Sequence, residues 1–219
     1  MTRQVEFDIA LSFADNVNFF SYFWLQDMDR KQIFTIPNAL SFYRILAFPV
    51  ILWFVIADKE RLFAVFLIIN LVTDFLDGII ARVFKQETEL GARLDSFGDN
   101  LTYVLAFTGL LVFKWQDFQP HMVSFLIFMA FLVGSVVMSL VKFKTTPSFH
   151  LYSTKISGYI QAAFFMCLFT LGFIPAFYYF MISWAIMAAI EHMIIQLIIP
   201  GMRSNVKGLY WILKEKRIL

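Results

Sequence analysis

Four aspartates carry most of the chemical potential of this chain. Asp74 and Asp77 stand three residues apart, and Asp95 and Asp99 stand four apart. On a helix either spacing puts both carboxylates of a pair on one face. A short connection joins the two stretches, so the helices are expected to pack as neighbours and bring the four carboxylates to one point. Carboxylates that close repel one another unless cations neutralise them. Arg82 and Arg93 are in reach to do part of this, and a divalent metal does it better. With no His or Cys nearby, an all-oxygen donor set selects a hard ion such as Mg²⁺, Mn²⁺ or Ca²⁺. Gly78, Ala81 and Gly91 thin the same helix faces, so that another backbone or a ligand can come close.

The elements that must hold these residues are membrane helices. Of 219 residues, 60% are hydrophobic and 16% charged, and 28 are Phe. Soluble domains run near 45–50% apolar and about 25% charged, so a soluble fold is excluded. A net charge of +2 is too small for a nucleic-acid surface. The single cysteine, Cys167, forms no intrachain disulfide and reads as core packing. A bilayer span takes about 20 mostly apolar residues. Six such runs are expected: Ala39–Ala57, Leu62 to Phe84, Leu94–Trp115, Met122–Val141, Ile156–Phe173 closed by Pro175, and Phe177–Ile199. The expected fold is an all-α six-helix bundle over residues 39–199. An N-terminal juxtamembrane segment, 1–38, holds an amphipathic surface stretch (Phe19, Phe20, Tyr22, Phe23, Trp24) rather than a cleavable signal. A basic tail follows over 200–219. With six spans both termini share one side, and only Lys59, Arg61 and Lys114 of the 18 Lys and Arg fall opposite. The positive-inside rule then puts both termini in the cytoplasm, in the cytoplasmic membrane of a bacterium.

Asp74-Phe-Leu-Asp77-Gly78-Ile-Ile-Ala81-Arg82, eight residues, then Gly91-Ala-Arg-Leu-Asp95-Ser-Phe-Gly-Asp99, fits D-x2-D-G-x2-A-R-x8-G-x3-D-x3-D at every fixed position. In this the chain resembles the CDP-alcohol phosphatidyltransferase family. A weaker resemblance is Ile36-Pro37-Asn38-Ala39-Leu40-Ser41-Phe42-Tyr43-Arg44-Ile45, similar to the entry of many members into their first span. The resemblance implies transfer of a phosphatidyl group from CDP-diacylglycerol to an alcohol with release of CMP. It implies Mg²⁺ or Mn²⁺ on Asp74, Asp77 and Asp95, and Asp99 as catalytic base that also touches metal. It implies contacts to the CDP moiety from Gly78, Arg82 and Gly91, with Ala81 allowing close approach, and a homodimer. Physical chemistry agrees, because phosphoryl transfer asks mainly for charge neutralisation and in-line positioning.

The acceptor alcohol is expected to be small and polar. Lys142, Lys144, Lys155 and Arg203 are the candidate contacts, with Lys207 nearby. Such cations favour a phosphorylated acceptor, glycerol 3-phosphate or inositol phosphate; serine or free inositol is the alternative. Lys155 with Gln161 resembles the glycerophosphate-using members, whereas the Asp95-Ser96 start is closer to inositol-phosphate and serine types. Glu191 and His192, in the sixth span, border the pocket, bind a partner helix or make a polar contact within the bundle. The rival class is a divalent-cation transporter, since acidic residues in adjacent spans also mark ion pathways. A cluster at one membrane face and no visible inverted repeat count against it.

Overall fold

The computed structural model describes residues 35–84, 88–144, 151–201 and 206–215, and every regular element among them is helical. The expected amphipathic stretch at Phe19–Trp24 and the candidate acceptor contact Arg203 lie outside the described residues.

Helix α1, Ile36–Ile56, starts before the apolar run does. The Thr35 hydroxyl accepts the Asn38 amide at 3.3 Å, an N-cap that satisfies a donor at the helix end. Pro37 follows inside the first turn, where a missing N–H costs nothing. Helix α2 is Glu60–Val83 and helix α3 is Glu89–Phe113. Asp58 turns the chain between α1 and α2 with φ 55°, a conformation Asp tolerates better than most residues. Thr88 caps α3, its hydroxyl accepting the Gly91 amide at 2.9 Å.

A short helical turn, Trp115–Phe118, and a 3₁₀ turn, Gln119–His121, lead into α4, Met122–Phe143. Helix α5 is Tyr152–Thr170, α6 is Pro175–Ile198 and α7 is Leu209–Glu215. Gly172, at φ +93°, breaks the chain after α5. Pro175 therefore opens α6 instead of closing the fifth span, in keeping with its fixed φ at a first helical position.

Among the described residues six long helices occupy the six expected runs, and five stretches are long and apolar enough to cross a membrane. They are Ile36–Ile56, Glu60–Val83, Gly91–Phe113, Trp115–Phe143 and Pro175–Ile198. Helix α5 falls outside because Ser153, Thr154, Lys155, Ser157, Gly158 and Gln161 fill its first half. Of the six expected spans, five are candidates by length and composition, and the sixth, α5, is a shorter and more polar helix. The chain is an integral, multi-pass membrane protein by these helices.

The described residues fall into two compact units: 35–46 with 73–84 and 88–100, and 47–72 with 101–144, 151–201 and 206–215. The first holds the start of α1, the end of α2 and the start of α3. Gly91 is a close approach within it: a Cβ there would stand 2.4 Å from Asn38 Oδ1.

The second unit explains the many phenylalanines. Buried Phe63 packs edge-on against Phe169 at 5.2 Å and tilts against Phe113 at 5.4 Å. Gly109 makes room for it, since a Cβ there would meet the Phe63 ring at 2.2 Å. Further edge-to-face pairs run through Phe107–Phe165, Phe118–Phe125 and Phe164–Phe177, a geometry that aromatic quadrupoles favour. Helices α4, α5 and α7 all pack on α6. Ser135 and His192 Nδ1 are 2.6 Å apart, and Gln196 Nε2 donates to the Ser135 carbonyl at 3.2 Å. Glu191 Oε1 accepts the Leu209 amide at 2.8 Å and so fastens the start of α7 to α6. Leu151, Ile195, Ile199, Val206 and Ile212 form a small core beneath that junction. Of the roles open to Glu191 and His192, these bonds are polar contacts inside the bundle.

Candidate metal centre

Helix α2 carries Asp74 and Asp77, and α3 carries Asp95 and Asp99. The i,i+3 and i,i+4 spacings work as the sequence predicts: all four carboxylates meet. What they meet is Arg44 of α1. Its Nη1 donates to Asp74 Oδ1 and to Asp99 Oδ1, the latter at 2.7 Å. Its Nη2 donates to Asp77 Oδ2 at 2.8 Å and to Asp95 Oδ1 at 2.7 Å. All five residues belong to the first compact unit.

The cluster has a floor and a mouth. Asp77 is only 3% exposed and also accepts the Ser41 hydroxyl at 3.4 Å. Asp74, Asp95 and Asp99 keep 38%, 44% and 38% of their side-chain surface. Arg44 is fully buried. Gly98 faces it across α3; a Cβ there would lie 3.4 Å from Arg44 Cζ and Nε, so the missing side chain lets the guanidinium lie close to that helix.

One oxygen from each of Asp74, Asp95 and Asp99 lies within 4.8 Å of the others, a spacing that admits a cation between them. The donor set is all oxygen, which suits a hard divalent ion. Charge points the same way. Four carboxylates surround a single guanidinium, leaving negative charge that a divalent ion would neutralise. The residues present therefore fit such an ion.

The other expected site residues are placed as follows. Arg82 Nε donates to the Gly78 carbonyl at 2.8 Å, back along its own helix. The cation found among the aspartates is thus Arg44 and not Arg82, because Arg44 comes from a third helix already aimed at the gap. Ala81 is half-buried on α2. Gly91 is packed on Asn38, which gives it a structural duty in addition to any toward a ligand. Lys155 is exposed in the first turn of α5, and Lys144 is exposed where α4 ends in a left-handed residue. Lys142 is partly committed: its Nζ donates to the Gln196 and Leu197 carbonyls at 2.6 and 3.2 Å. It caps the carbonyl end of α6, where a cation is favoured. These lysines belong to the second unit.

Arg44, Ser41 and Gly98 are site residues that the aspartate spacing does not point to. A signal existed. Asn38, Ser41 and Arg44 recur every third residue along an apolar helix, and an arginine inside a span requires counter-charges.

The CDP-alcohol phosphatidyltransferase pattern matches residues 34–195, most of the chain and all of the cluster. The chain belongs to this family. It is 28% identical over 118 residues to the CDP-diacylglycerol–glycerol-3-phosphate 3-phosphatidyltransferase of Aquifex aeolicus, covering 52% of this chain and 66% of that one. It is 30% identical over 95 residues to a cardiolipin synthase (CMP-forming) of Streptomyces coelicolor, 41% of this chain and 43% of that one. Human cardiolipin synthase (CMP-forming) is 30% identical over 116 residues, 52% of this chain and 37% of that protein. Each alignment spans less than two thirds of the relative's own length. The family is metal-dependent, in keeping with the carboxylate cluster.

Proposed function

We propose that this phosphatidyltransferase moves a phosphatidyl group from CDP-diacylglycerol to a glycerophosphate acceptor and releases CMP. The observation that carries the reading is the convergence of all four motif aspartates at one partly open point. Asp74, Asp77 and Asp95 would hold Mg²⁺ or Mn²⁺, and Asp99, whose oxygen shares the cation spacing with those of Asp74 and Asp95, would touch the ion as well. The bound ion supplies charge neutralisation on the pyrophosphate. Asp99 takes the proton from the acceptor hydroxyl as that oxygen bonds to the lipid-side phosphorus. The phosphorus–oxygen bond to CMP breaks, and CMP leaves with the electron pair. Gly78, Ala81 and Gly91 give the nucleotide close access to the helix backbones, and Arg82 pairs with its phosphates.

For the acceptor, the names of the relatives favour a glycerol-based alcohol over inositol phosphate, serine or inositol. Glycerol 3-phosphate carries such a group free, and a lipid acceptor that yields cardiolipin carries it on a diacylglycerol. Lys155, Lys144 and Arg203 pair with the acceptor phosphate, while Lys142 has carbonyls to hold and contributes less. With α5 crossing as well as the five more apolar helices, both termini lie in the cytoplasm, and the protein acts as a homodimer.

The test is CMP release from CDP-diacylglycerol in detergent with Mn²⁺, run with glycerol 3-phosphate, phosphatidylglycerol, serine, inositol and inositol phosphate in turn. Release that depends on either of the first two is expected. Release that depends on serine, inositol or inositol phosphate alone would overturn the acceptor class, and no release with any of them would overturn the activity.

A further inference from the structure

Arg44 is held in an unusual way. Its side chain has no exposed surface, yet its Nε has no hydrogen-bond partner. Every polar attachment is through Nη1 and Nη2, and each of those reaches two aspartates. The guanidinium is thus shared among four carboxylates drawn from two helices. Three of them, Asp74, Asp95 and Asp99, are the same carboxylates whose oxygens are spaced to admit a cation. A hard divalent ion needs its oxygens at about 2.0–2.6 Å, in a tight shell. Drawing these carboxylates onto an ion pulls them away from the guanidinium. Two positive centres among the same oxygens would also repel strongly in so enclosed a place.

We propose that Arg44 is a built-in competitor of the metal. It keeps the four aspartates together while the site is metal-free, and it must yield carboxylate oxygens when a divalent ion enters. This rests on the reading that the aspartates hold a divalent ion. It adds that the ion's affinity is set partly by the arginine it displaces. Unlike a free cation from solution, Arg44 is tethered, so it competes at constant effective concentration. A residue that helped bind the metal, or that only braced the fold, would make metal binding weaker when removed. A competitor makes it tighter.

The test uses the full chain in detergent, with Mn²⁺ binding followed by the electron paramagnetic resonance of the free ion and thermal unfolding followed with and without Mn²⁺. Arg44→Gln should lower the unfolding temperature of the metal-free protein, because four carboxylates lose their common partner. The same variant should bind Mn²⁺ roughly tenfold more tightly or better, since no internal cation remains to be displaced. Mn²⁺ should also raise its unfolding temperature more than that of the unaltered chain. If Arg44→Gln gives no folded metal-free protein, Arg44→Lys serves, as its single ammonium keeps the charge but cannot span four carboxylates. It should bind Mn²⁺ more tightly than the unaltered chain does. Equal or weaker Mn²⁺ binding in the variant, with clear binding by the unaltered chain, would overturn the competitor role alone. Failure of both to bind Mn²⁺ would overturn the metal reading, and the competitor role with it.

Discussion

At the scale of single residues, Asp77 and Asp99 are chemically identical and differently placed. Asp77 is sealed at the floor with Ser41 and Arg44, whereas Asp99 keeps an open side. A group that takes a proton from an incoming alcohol needs that open side, and a structural or metal-holding group does not. Asp99→Asn should therefore lower the rate of CMP release by about 10²–10⁴-fold, the usual worth of a general base. Binding of CDP-diacylglycerol, measured by equilibrium titration, should largely survive. Asp95→Asn should remove turnover and weaken Mn²⁺ binding together, since an amide is a poorer ligand for a hard ion. Equal loss of lipid binding in Asp99→Asn would make Asp99 a metal ligand first. Lys155, exposed at the start of α5, should affect the acceptor: Lys155→Ala is expected to raise the acceptor KM roughly ten- to a hundredfold and that of the CDP-lipid much less. The aspartates were legible in the sequence because four like charges at helical spacings in apolar surroundings have few other uses. Arg44 was harder to read, because an arginine near the end of a span also satisfies the positive-inside rule, and the polar stripe it forms with Asn38 and Ser41 does not name its partners.

At the scale of elements, the helices were legible and their ends less so. Apolar runs mark where a helix can lie in lipid, but caps decide where it begins. Thr35 and Thr88 each start a helix before its apolar run by accepting an amide, so α1 and α3 begin earlier than hydropathy indicates. Pro175 carried two readings, since proline ends one helix and starts another with equal ease, and Gly172 settles it by turning the chain first. Those early starts matter to the site, because they carry Asn38 and Gly91 into contact. With a Cβ position only 2.4 Å from Asn38 Oδ1, Gly91→Ala should destabilise the protein by about 1–3 kcal/mol through overpacking. The loss would show as a lower unfolding temperature in detergent. Asn38→Ala in the same chain should recover part of it, with a coupling of about 0.5–3 kcal/mol. Strict additivity of the two changes would show that Gly91 is needed by something other than this contact.

At the scale of the whole molecule, the remaining question is which side of the membrane the cluster serves. Lys114 at the end of α3 pairs with Glu60 at the start of α2, at 2.7 Å. The ends of those helices away from the aspartates are thereby tied together, and with Lys59 and Arg61 they hold the few basic residues of that side. Orientation responds to Lys and Arg and hardly to Asp or Glu, so the acidic neighbours Asp58, Glu60 and Asp117 do not offset the rule. The side richer in Lys and Arg carries the C-terminal end of α2 and the N-terminal start of α3, where the aspartates lie. Facing the cytoplasm would give those carboxylates a nucleotide-bearing lipid on the side where CTP is made. The single cysteine makes this testable. In a Cys167→Ser background, Lys59→Cys and Lys207→Cys place one thiol at each side, both positions being exposed. In right-side-out vesicles of bacterial cytoplasmic membrane, a thiol reagent that does not cross the bilayer should label Lys59→Cys and spare Lys207→Cys until the vesicles are opened. The reverse pattern would turn the aspartates toward the outside, away from CTP, and would count against both the orientation and the CDP-lipid as donor.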